Sequence, residues 1–255
     1  MHCMEEFNLA YPSDSNLDYA ILNALHRHGQ PLGSGTLHYT LREQGGNLSA
    51  PTLGRRLRDL EQRGLVKKVS VEGRVLTAEG QRLLRGLEQN RRLEISGEKV
   101  LTLLKRTGKK DIVDQLIARR AVEVETCALA AQNARPADIK HLQKLMQRQR
   151  DSVQHGGMGV KEDVDFHDAI AEASGNSVLA AMVSMLRSPA WLNHVVTAIR
   201  ARFGTRLVID HEQITRSIKA RDSEAAGKAM QQHLDNIIAD VDRYWEQEFS
   251  NGPKL

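Results

Sequence analysis

Four side chains in the C-terminal half of the sequence are of types that bind metal ions, and each falls on the apolar side of a predicted helix. Asp163 and His167 are four residues apart, so an α-helix places them one turn apart on the same face. His211 and His233 each recur in helical register with aliphatic residues, which turns both imidazoles toward the core. Three imidazoles and one carboxylate on inward-facing helix surfaces predict a site for a divalent metal ion.

Each of these four residues also has a simpler interpretation. A histidine on an apolar helix face is more often a hydrogen-bonded core residue than a metal ligand, and an aspartate four residues before a histidine is a weak signal by itself. Spacing alone therefore leaves a metal site and a polar core cluster both open. If a metal binds, the imidazole ligands favour a borderline ion such as zinc or nickel.

The helices that must position these residues begin at residue 111, where helical periodicity continues with only short interruptions. The first of them ends before Asn133-Ala134-Arg135-Pro136, since proline is rarely tolerated inside a helix. Further helices are predicted over residues 137–150, 161–173, 177–186, 190–215 (one or two helices) and 223–249. We therefore predict an all-α bundle of six or seven helices.

The N-terminal part of the sequence predicts a winged helix-turn-helix. Three short helices are expected, the first capped by Asn16, the second opened by Ser34 or Thr36, and the third capped by Ser49. Residues 65–77 then predict a β-hairpin with a Glu-Gly turn. Three small helices followed by a hairpin is the order of elements in a winged helix.

The third predicted helix and the hairpin carry side chains that suit DNA. Leucines occupy one side of this helix, whereas polar and basic residues occupy the opposite side and its flanks. Arginine is the commonest reader of guanine in the major groove, and basic residues of a wing contact phosphate. An isolated arginine more often only solubilises a surface, but the wing that follows favours DNA contact. The residues predicted to contact DNA are Ser49, Thr52, Arg55, Arg56, Arg58, Lys67, Lys68 and Arg74.

We predict three segments in the chain. Residues 1–93 form the winged helix-turn-helix DNA-binding domain and include a further helix, capped by Thr77, that ends near Leu93. Residues 94–110 form a linker, because Ile95-Ser96-Gly97 interrupts the helical pattern. Residues 111–250 form the helical domain that binds metal and effector and dimerises.

The composition is that of a globular protein. The 255 residues suffice for two ordinary domains, and a net charge of +4 with a pI near 9.1 permits nucleic-acid binding without requiring it. The two cysteines, Cys3 and Cys127, are too few for a disulfide framework, and Cys127 is expected in the core. The sequence has neither an apolar stretch of the roughly 20 residues that a membrane span needs nor a signal peptide. We therefore expect a cytoplasmic protein without a membrane partner.

Part of the N-terminal region resembles known winged helices. Residues 48–65 read LSAPTLGRRLRDLEQRGL and residues 73–80 read GRVLTAEG. This stretch is similar to the winged helix of the archaeal nitrogen-regulation repressors, and a related module occurs at the N-terminus of some exoribonucleases.

The C-terminal region resembles a second family. Residues 163–176 read DVDFHDAIAEASGN, and residues 211–222 read HEQITRSIKARD. Over residues 111–245 the sequence is similar to the FCD ligand-binding domain of GntR-type regulators in the FadR-like branch. The resemblance implies that Asp163, His167, His211 and His233 bind a divalent metal, which helps to hold a small effector that usually bears a carboxylate. Members of that branch usually carry a different winged helix, so their operator sequence cannot be transferred to this chain.

The charge of such a site also favours an acidic effector. A divalent ion with one carboxylate and three neutral imidazoles carries a net charge of about +1, which an anionic group would neutralise. Arg119 is the candidate for holding a second carboxylate, and its alternative is a salt bridge to Glu123 on its own helix. Asn176 is also predicted to contact the effector, although capping or turning the chain is its simpler interpretation.

Together these features predict a mainly α protein that regulates transcription in response to a ligand and is not an enzyme. We expect a homodimer on double-stranded operator DNA, with effector binding shifting its conformational equilibrium. One alternative is a metal-dependent hydrolase fused to a DNA-binding module, since such a metal could activate water. The sequence has no general base beside the site, as in a His-Glu-x-x-His arrangement. The other alternative is a helical domain that only dimerises and binds no ligand.

Overall fold

The structure, a computed structural model, describes residues 14–69, 71–204 and 207–249. Cys3 lies outside the described residues. The chain divides into two compact units, with the division after Lys99. The described residues form eleven helices and one two-stranded sheet, which confirms the predicted mainly α fold.

The first unit is a winged helix. Its first three helices are α1 (Asp14–His28), α2 (Ser34–Glu43) and α3 (Ala50–Gln62). The strands β1 (Val66–Val69) and β2 (Gly73–Leu76) pair antiparallel, with Val66 opposite Leu76. The predicted order of three helices and a hairpin is therefore confirmed.

The start of α3 follows from local chemistry. The Ser49 hydroxyl accepts a hydrogen bond from the backbone N–H of Thr52 at 3.3 Å, and Pro51 occupies the first turn, where no N–H is needed. Toward the inside, the leucines of α3 are almost completely buried in the core of this unit. They are Leu53, Leu57 and Leu60.

The wing is attached to the segment between α1 and α2. Leu32 and Arg74 exchange two backbone hydrogen bonds of 3.0 Å. Gly73 has a φ of 135°, and a Cβ atom there would lie 2.2 Å from the carbonyl carbon of Leu32. Only glycine fits this close approach without moving the wing.

Helix α4 extends from Ala78 to Leu104. Thr77 caps it as predicted, since its hydroxyl accepts a hydrogen bond from Gly80 N–H at 3.0 Å. The predicted interruption at residues 95–97 is wrong, because the helix continues through Gly97. A single glycine inside a helix costs only about 1 kcal/mol, which the good helix formers around it outweigh. The division into residues 1–93, 94–110 and 111–250 stays a prediction.

The second unit contains seven further helices. They are α5 (Lys109–Asn133), α6 (Pro136–Gln154), α7 (Val160–Ala173), α8 (Ser177–Arg187), α9 (Ala190–Arg202), α10 (Leu207–Lys219) and α11 (Ser223–Phe249). The stretch predicted to hold one or two helices, residues 190–215, holds two. The predicted bundle of six or seven helices is confirmed.

The long helices α5 and α11 pack against each other and contribute much of the apolar core. Cys127 is completely buried, as predicted, and its thiol donates to the carbonyl of Ala226 at 3.3 Å. Burial raises the pKa of this thiol, so it packs as a small core side chain. None of the described helices is both long and apolar enough to cross a membrane.

Candidate metal centre

The four predicted metal ligands meet in the interior of the second unit. One ligand atom from each of Asp163, His167, His211 and His233 lies within 4.8 Å of the other three. Asp163 Oδ1 lies 3.4 Å from His211 Nε2 and 3.9 Å from His167 Nε2. The three imidazoles are at most 2% exposed.

Three helices supply these side chains. Helix α7 presents Asp163 and His167 one turn apart, as their spacing predicted, while α10 contributes His211 and α11 contributes His233. The ring of Phe166 stacks on that of His211 with 4.3 Å between their centroids. The aromatic contact and the tight burial hold the rings in a small volume.

The atoms that face the centre of this cluster lack hydrogen-bond partners among the described residues. They are Asp163 Oδ1 and the Nε2 atoms of His167, His211 and His233. Buried polar atoms without partners destabilise a protein, and four that converge on one point are unusual. A divalent cation at that point would satisfy all four, so the residues fit a metal ion.

The opposite nitrogen of each imidazole faces an oxygen acceptor. An acceptor at Nδ1 keeps the proton on that atom and leaves the lone pair of Nε2 directed at the centre. The partners of Nδ1 are Glu123 Oε2 for His167 (2.5 Å), Gln149 Oε1 for His211 (2.8 Å) and Asp210 Oδ2 for His233 (3.2 Å). His211 Nδ1 thus has a hydrogen-bond acceptor. His233 Nδ1 also lies 3.4 Å from Arg200 Nη1, and His167 Nδ1 has the carboxylate contact without hydrogen-bond geometry.

Two buried arginines hold the carboxylates on one side of the cluster. The Nε of Arg119 donates to Glu123 Oε1 at 2.7 Å. Arg187 donates through Nη2 to Asp163 Oδ2 and through Nη1 to both oxygens of Glu123 at 3.4 Å. Both arginines are 2% exposed, so these ion pairs are shielded from water.

A third arginine, Arg200, holds the carboxylates near His233. Arg200 is fully buried and donates through Nη2 to Asp210 Oδ2 at 2.8 Å, the atom that faces His233. Its Nε lies 3.6 Å from Asp240 Oδ2. Arg200 thus stabilises the acceptor that orients one of the ligand histidines.

The environment of the cluster shifts the pKa values of its members. Burial, followed by the positive charge of neighbouring groups, lowers the pKa of His211 and of His233 well below 6.5, so both are neutral at pH 7. Burial would raise the pKa of Glu123, but Arg119 and His167 outweigh it and bring that pKa to about 2. Burial raises the pKa of Asp163 against the opposing effects of His167 and Arg119.

The buried charges almost balance. The three guanidinium groups face the carboxylates of Asp163, Glu123, Asp210 and Asp240, which leaves one net negative charge. A divalent ion would change this to one net positive charge. An anionic ligand would then restore neutrality, which buried sites favour.

The two predicted effector contacts have structural roles in the described chain. Arg119 forms the ion pair with Glu123, which was its alternative interpretation. Asn176 is exposed and caps α8, with its side-chain oxygen accepting from the N–H groups of Val178 and Leu179 at 3.1 Å each. Their binding of an effector stays a prediction.

A cavity of about 470 Å³ lies beside the cluster, between α7, the end of α8 and the start of α9. Arg187 lines it and also contacts Asp163, so this side chain lies between the cavity and the candidate ligands. The cavity also contains the carboxylate of Asp168, whose Oδ1 is buried without a hydrogen-bond partner among the described residues. The other lining residues are Val160, Lys161, Val164, Asp165, Ser184, Ser188, Ala190, Asn193 and His194.

The predicted DNA contacts divide into exposed and ion-paired side chains. Arg55 and Arg58 of α3 and Lys67 and Lys68 of β1 are exposed. Ser49 and Thr52 lie at the start of α3, where their hydroxyl oxygens are 2.8 Å apart.

The two remaining basic residues have partners within the winged helix. The Nε of Arg56 donates to Asp18 Oδ1 at 2.6 Å, and Arg74 donates to Glu61 Oε2 at 3.0 Å. Both side chains are 18% exposed. The structure therefore assigns them ion pairs between elements, and their contact with DNA stays a prediction.

Sequence reasoning missed most residues around the ligands, namely Gln149, Arg187, Arg200, Asp210 and Asp240. One signal was available for two of them. Arg187 is the single charged residue between the charge-free stretches 173–186 and 188–199, and Arg200 ends the second stretch. A lone arginine in an apolar helical context is almost always paired when buried.

The fold and the site together define a protein that joins a winged helix to an all-α domain with a buried cluster of three histidines and one aspartate. Residues 114–236 match the family model of the FCD domain, and residues 19–84 match that of the ribonuclease R winged-helix domain. The second unit thus contains an FCD domain, and relatives that the chain resembles are named as transcriptional regulators or repressors. The sequence of the winged helix resembles both the archaeal nitrogen-regulation repressors and a module of exoribonucleases. The family model that matches is that of an exoribonuclease, ribonuclease R.

Similar proteins include both curated sequences and solved structures. The chain is 28% identical to the HTH-type transcriptional regulator LutR of Bacillus subtilis over 54% of its own length and 66% of that protein. It is 29% identical to the Uxu operon regulator of Haemophilus influenzae over 48% of each. The chain thus spans about half to two thirds of the length of these curated relatives. The solved structure of E. coli McbR/YncC aligns with 91% of this chain and 96% of its own at 17% identity and a TM-score of 0.49.

Proposed function

We propose that this protein is a DNA-binding transcription regulator that responds to a small acidic effector. The observation that carries the proposal is the presence, in one chain, of a winged helix and an FCD domain with its candidate ligand cluster intact. The relatives reported above are named as regulators, one of transcription and one of the Uxu operon, which supports the same function here. Because such a protein must reach the chromosome, the proposal includes a cytoplasmic location.

Asp163, His167, His211 and His233 hold a divalent metal in this proposal, zinc or nickel being favoured by the imidazole ligands. The metal supplies a positive centre to which an anionic oxygen can bind. Glu123, Gln149 and Asp210 orient the three imidazoles in this proposal. Glu123 and Gln149 are buried, whereas Asp210 is partly exposed.

The effector of this proposal is a small molecule with at least one carboxylate. Its charge is inferred from the net positive charge that a divalent ion leaves among the buried groups. The cavity beside Arg187 has room for such a molecule, and Lys161, which pairs with Asp165, and His194 are among its lining residues, together with Asp168. Arg119 and Asn176 stay predicted contacts.

The DNA surface of this proposal is the exposed side of α3 with the wing. Ser49, Thr52, Arg55 and Arg58 face the major groove, and Lys67 and Lys68 contact phosphate. The ion pairs of Arg56 and Arg74 maintain the geometry of that surface. A homodimer would place two such surfaces on a palindromic operator.

We infer a binding protein rather than an enzyme from the pairing of the carboxylates around the cluster. Asp163, Glu123 and Asp210 each accept a hydrogen bond from a buried arginine. A hydrolase would need one carboxylate available to accept a proton from a metal-activated water. The carboxylates that contact the candidate ligands are each held by an arginine, which favours a binding site over a catalytic one.

Selection from a random duplex DNA library with the full-length protein tests the function. We expect enrichment of one sequence with two-fold symmetry, and a strong decrease of binding with rising salt. Arg55→Ala and Arg58→Ala should each weaken binding to the selected site, by about 1–3 kcal/mol where the arginine reads a base.

Arg148→Ala is the matched control, because Arg148 is an exposed arginine of the second unit. It should leave binding unchanged. A library that stays unenriched over repeated rounds would contradict the proposal. Equal binding by wild type and both α3 variants would remove α3 as the recognition helix.

A further inference from the structure

Arg187 is the last residue of α8 and one of the most deeply buried charged side chains of the second unit. Its guanidinium group lies between two carboxylates, those of Asp163 and Glu123. The side chain of Asn193 donates to the carbonyl of Arg187 at 2.8 Å, so the backbone here is also held. Arg187 is therefore a rigidly placed cation.

The contact with Asp163 decides how that carboxylate can bind a metal. Nη2 of Arg187 donates a hydrogen bond to Oδ2 of Asp163, whereas Oδ1 of Asp163 faces the cluster without a hydrogen-bond partner among the described residues. A carboxylate with one oxygen held by a guanidinium offers only the other to a metal. Asp163 is thereby limited to one coordinating oxygen.

The contact with Glu123 reaches a second ligand. Nη1 of Arg187 lies 3.4 Å from both oxygens of Glu123, and Glu123 Oε2 lies 2.5 Å from Nδ1 of His167. His211 and His233 are oriented by different groups, Gln149 and Asp210. Arg187 of α8 thus contacts one ligand of α7, Asp163, directly. It reaches the other, His167, through the carboxylate of Glu123.

We propose that Arg187 is a positioning residue for the metal centre, which restricts Asp163 to one-oxygen ligation and orients His167 through Glu123. The inference rests on the proposed metal site. The two Nη groups of arginine are essential to this positioning role, because they contact both carboxylates at once. A lysine would keep the positive charge, but its N–H donors all belong to one nitrogen atom and lack the planar spacing with which the two Nη atoms of Arg187 contact the two carboxylates.

Cobalt(II) binding to the full-length protein tests the effect on the metal. Wild type should bind one cobalt ion per chain with a visible absorption spectrum characteristic of its coordination. Arg187→Lys should weaken cobalt binding 10- to 100-fold, as is usual for groups that orient ligands, and change the band intensities, because Asp163 can then use both oxygens. Arg187→Gln should have the same effects to a larger extent.

Nitrogen-15 spectra of the imidazoles in the metal-free protein provide a second readout that needs no metal. Arg187→Lys should shift the ring nitrogens of His167 and leave those of His211 near their wild-type positions. A general loss of structure would move both. The lysine variant keeps the charge and is therefore suited to this measurement if Arg187→Gln does not fold.

The control is Arg120→Gln, which removes an interhelical ion pair with Asp235 outside the cluster. It should bind cobalt as wild type does. Unchanged affinity, spectrum and His167 signals in Arg187→Lys would overturn the positioning role while leaving the metal site in place. Absence of cobalt binding in wild type would overturn the metal site itself, and the positioning role with it.

Discussion

Two of the three imidazoles in the interior of the second unit, those of His211 and His233, are kept neutral by their surroundings. His211 and His233 are almost completely buried, and Arg200 adds a positive charge beside them. Protonating either ring would place a cation next to other cations in a medium of low polarity. A neutral imidazole with its proton on Nδ1 is also the form that can bind a metal through Nε2.

The low pKa values predict a loss of stability in acid for the metal-free protein. Below about pH 6.5 the unfolded chain protonates both histidines and the folded chain does not, so the unfolded state binds more protons. The free energy of unfolding should then fall as pH falls, by up to about 1.4 kcal/mol per pH unit for each histidine. Urea unfolding with a chelator present, between about pH 7.5 and 5.5, measures this.

Two histidine variants show how much of this pH dependence comes from the buried histidines and how much from other titrating groups. Asp163 has a raised pKa, so its protonation acts in the opposite direction at low pH. His233→Gln should therefore have a smaller fall in stability with pH than wild type, and His194→Gln, at an exposed position, should match wild type. Equal pH dependence in wild type and His233→Gln would contradict the neutral state of His233.

The junction of the wing with α4 depends on a close approach at the level of the secondary-structure elements. A Cβ atom at Gly80 would lie 2.0 Å from the carbonyl oxygen of Leu65, at the start of the wing. That oxygen also accepts a hydrogen bond from Thr77 N–H at 3.1 Å. Gly80 is thus the residue that lets α4 begin directly against the hairpin.

Substitution of two glycines in the same helix tests this contact. Gly80→Ala should destabilise the first unit by about 1–3 kcal/mol, because the methyl group meets backbone that cannot move away without displacing the wing. Gly86→Ala is the control, since nothing lies within 4 Å of a Cβ atom there. It should stabilise α4 by about 0.5–1 kcal/mol.

Far-UV circular dichroism during thermal unfolding measures both variants. Both glycines belong to the first unit, so the second unit should keep its own midpoint. If Gly80→Ala proved as stable as Gly86→Ala, the contact between α4 and Leu65 would not constrain the winged helix.

For the molecule as a whole, the unfolding of the second unit can be measured separately from that of the first. The only tryptophans of the sequence, Trp191 and Trp245, are both in the second unit. Their fluorescence therefore reports unfolding of the unit that contains the candidate metal centre. A ligand that binds only the folded second unit should raise the midpoint of this signal.

Zinc or nickel is expected to have this effect. At a free metal concentration 100 times the dissociation constant, the stabilisation is about 2.7 kcal/mol, which corresponds to a rise of roughly 5–10 °C for a unit of this size. A chelator should reverse it, and His211→Ala should abolish it. His141→Ala, at an exposed histidine, should respond as wild type does. An unchanged midpoint in wild type with either metal would contradict the four-ligand site.

Much of the architecture could be predicted from the sequence because helical periodicity is a local property. The leucines of α3 and the pair Asp163 and His167 recur at helical spacing, so their faces follow from the order of residues alone. The types of the four ligands, together with a resemblance to a known domain, sufficed to name the candidate metal site. The continuation of α4 through Gly97 was not predicted, because flanking residues outweigh a single glycine.

The partners of the ligands were decided only by the tertiary structure. Gln149 faces His211 across 62 positions of the sequence, and Arg187 faces Glu123 across 64. No local spacing relates such residues, since their contact depends on which faces of different helices pack together. The same holds for Arg56, whose ion-pair partner Asp18 is 38 positions away. Residue types and periodicity thus determined the helices and the candidate ligands, whereas packing between helices decided which charges pair and which remain exposed.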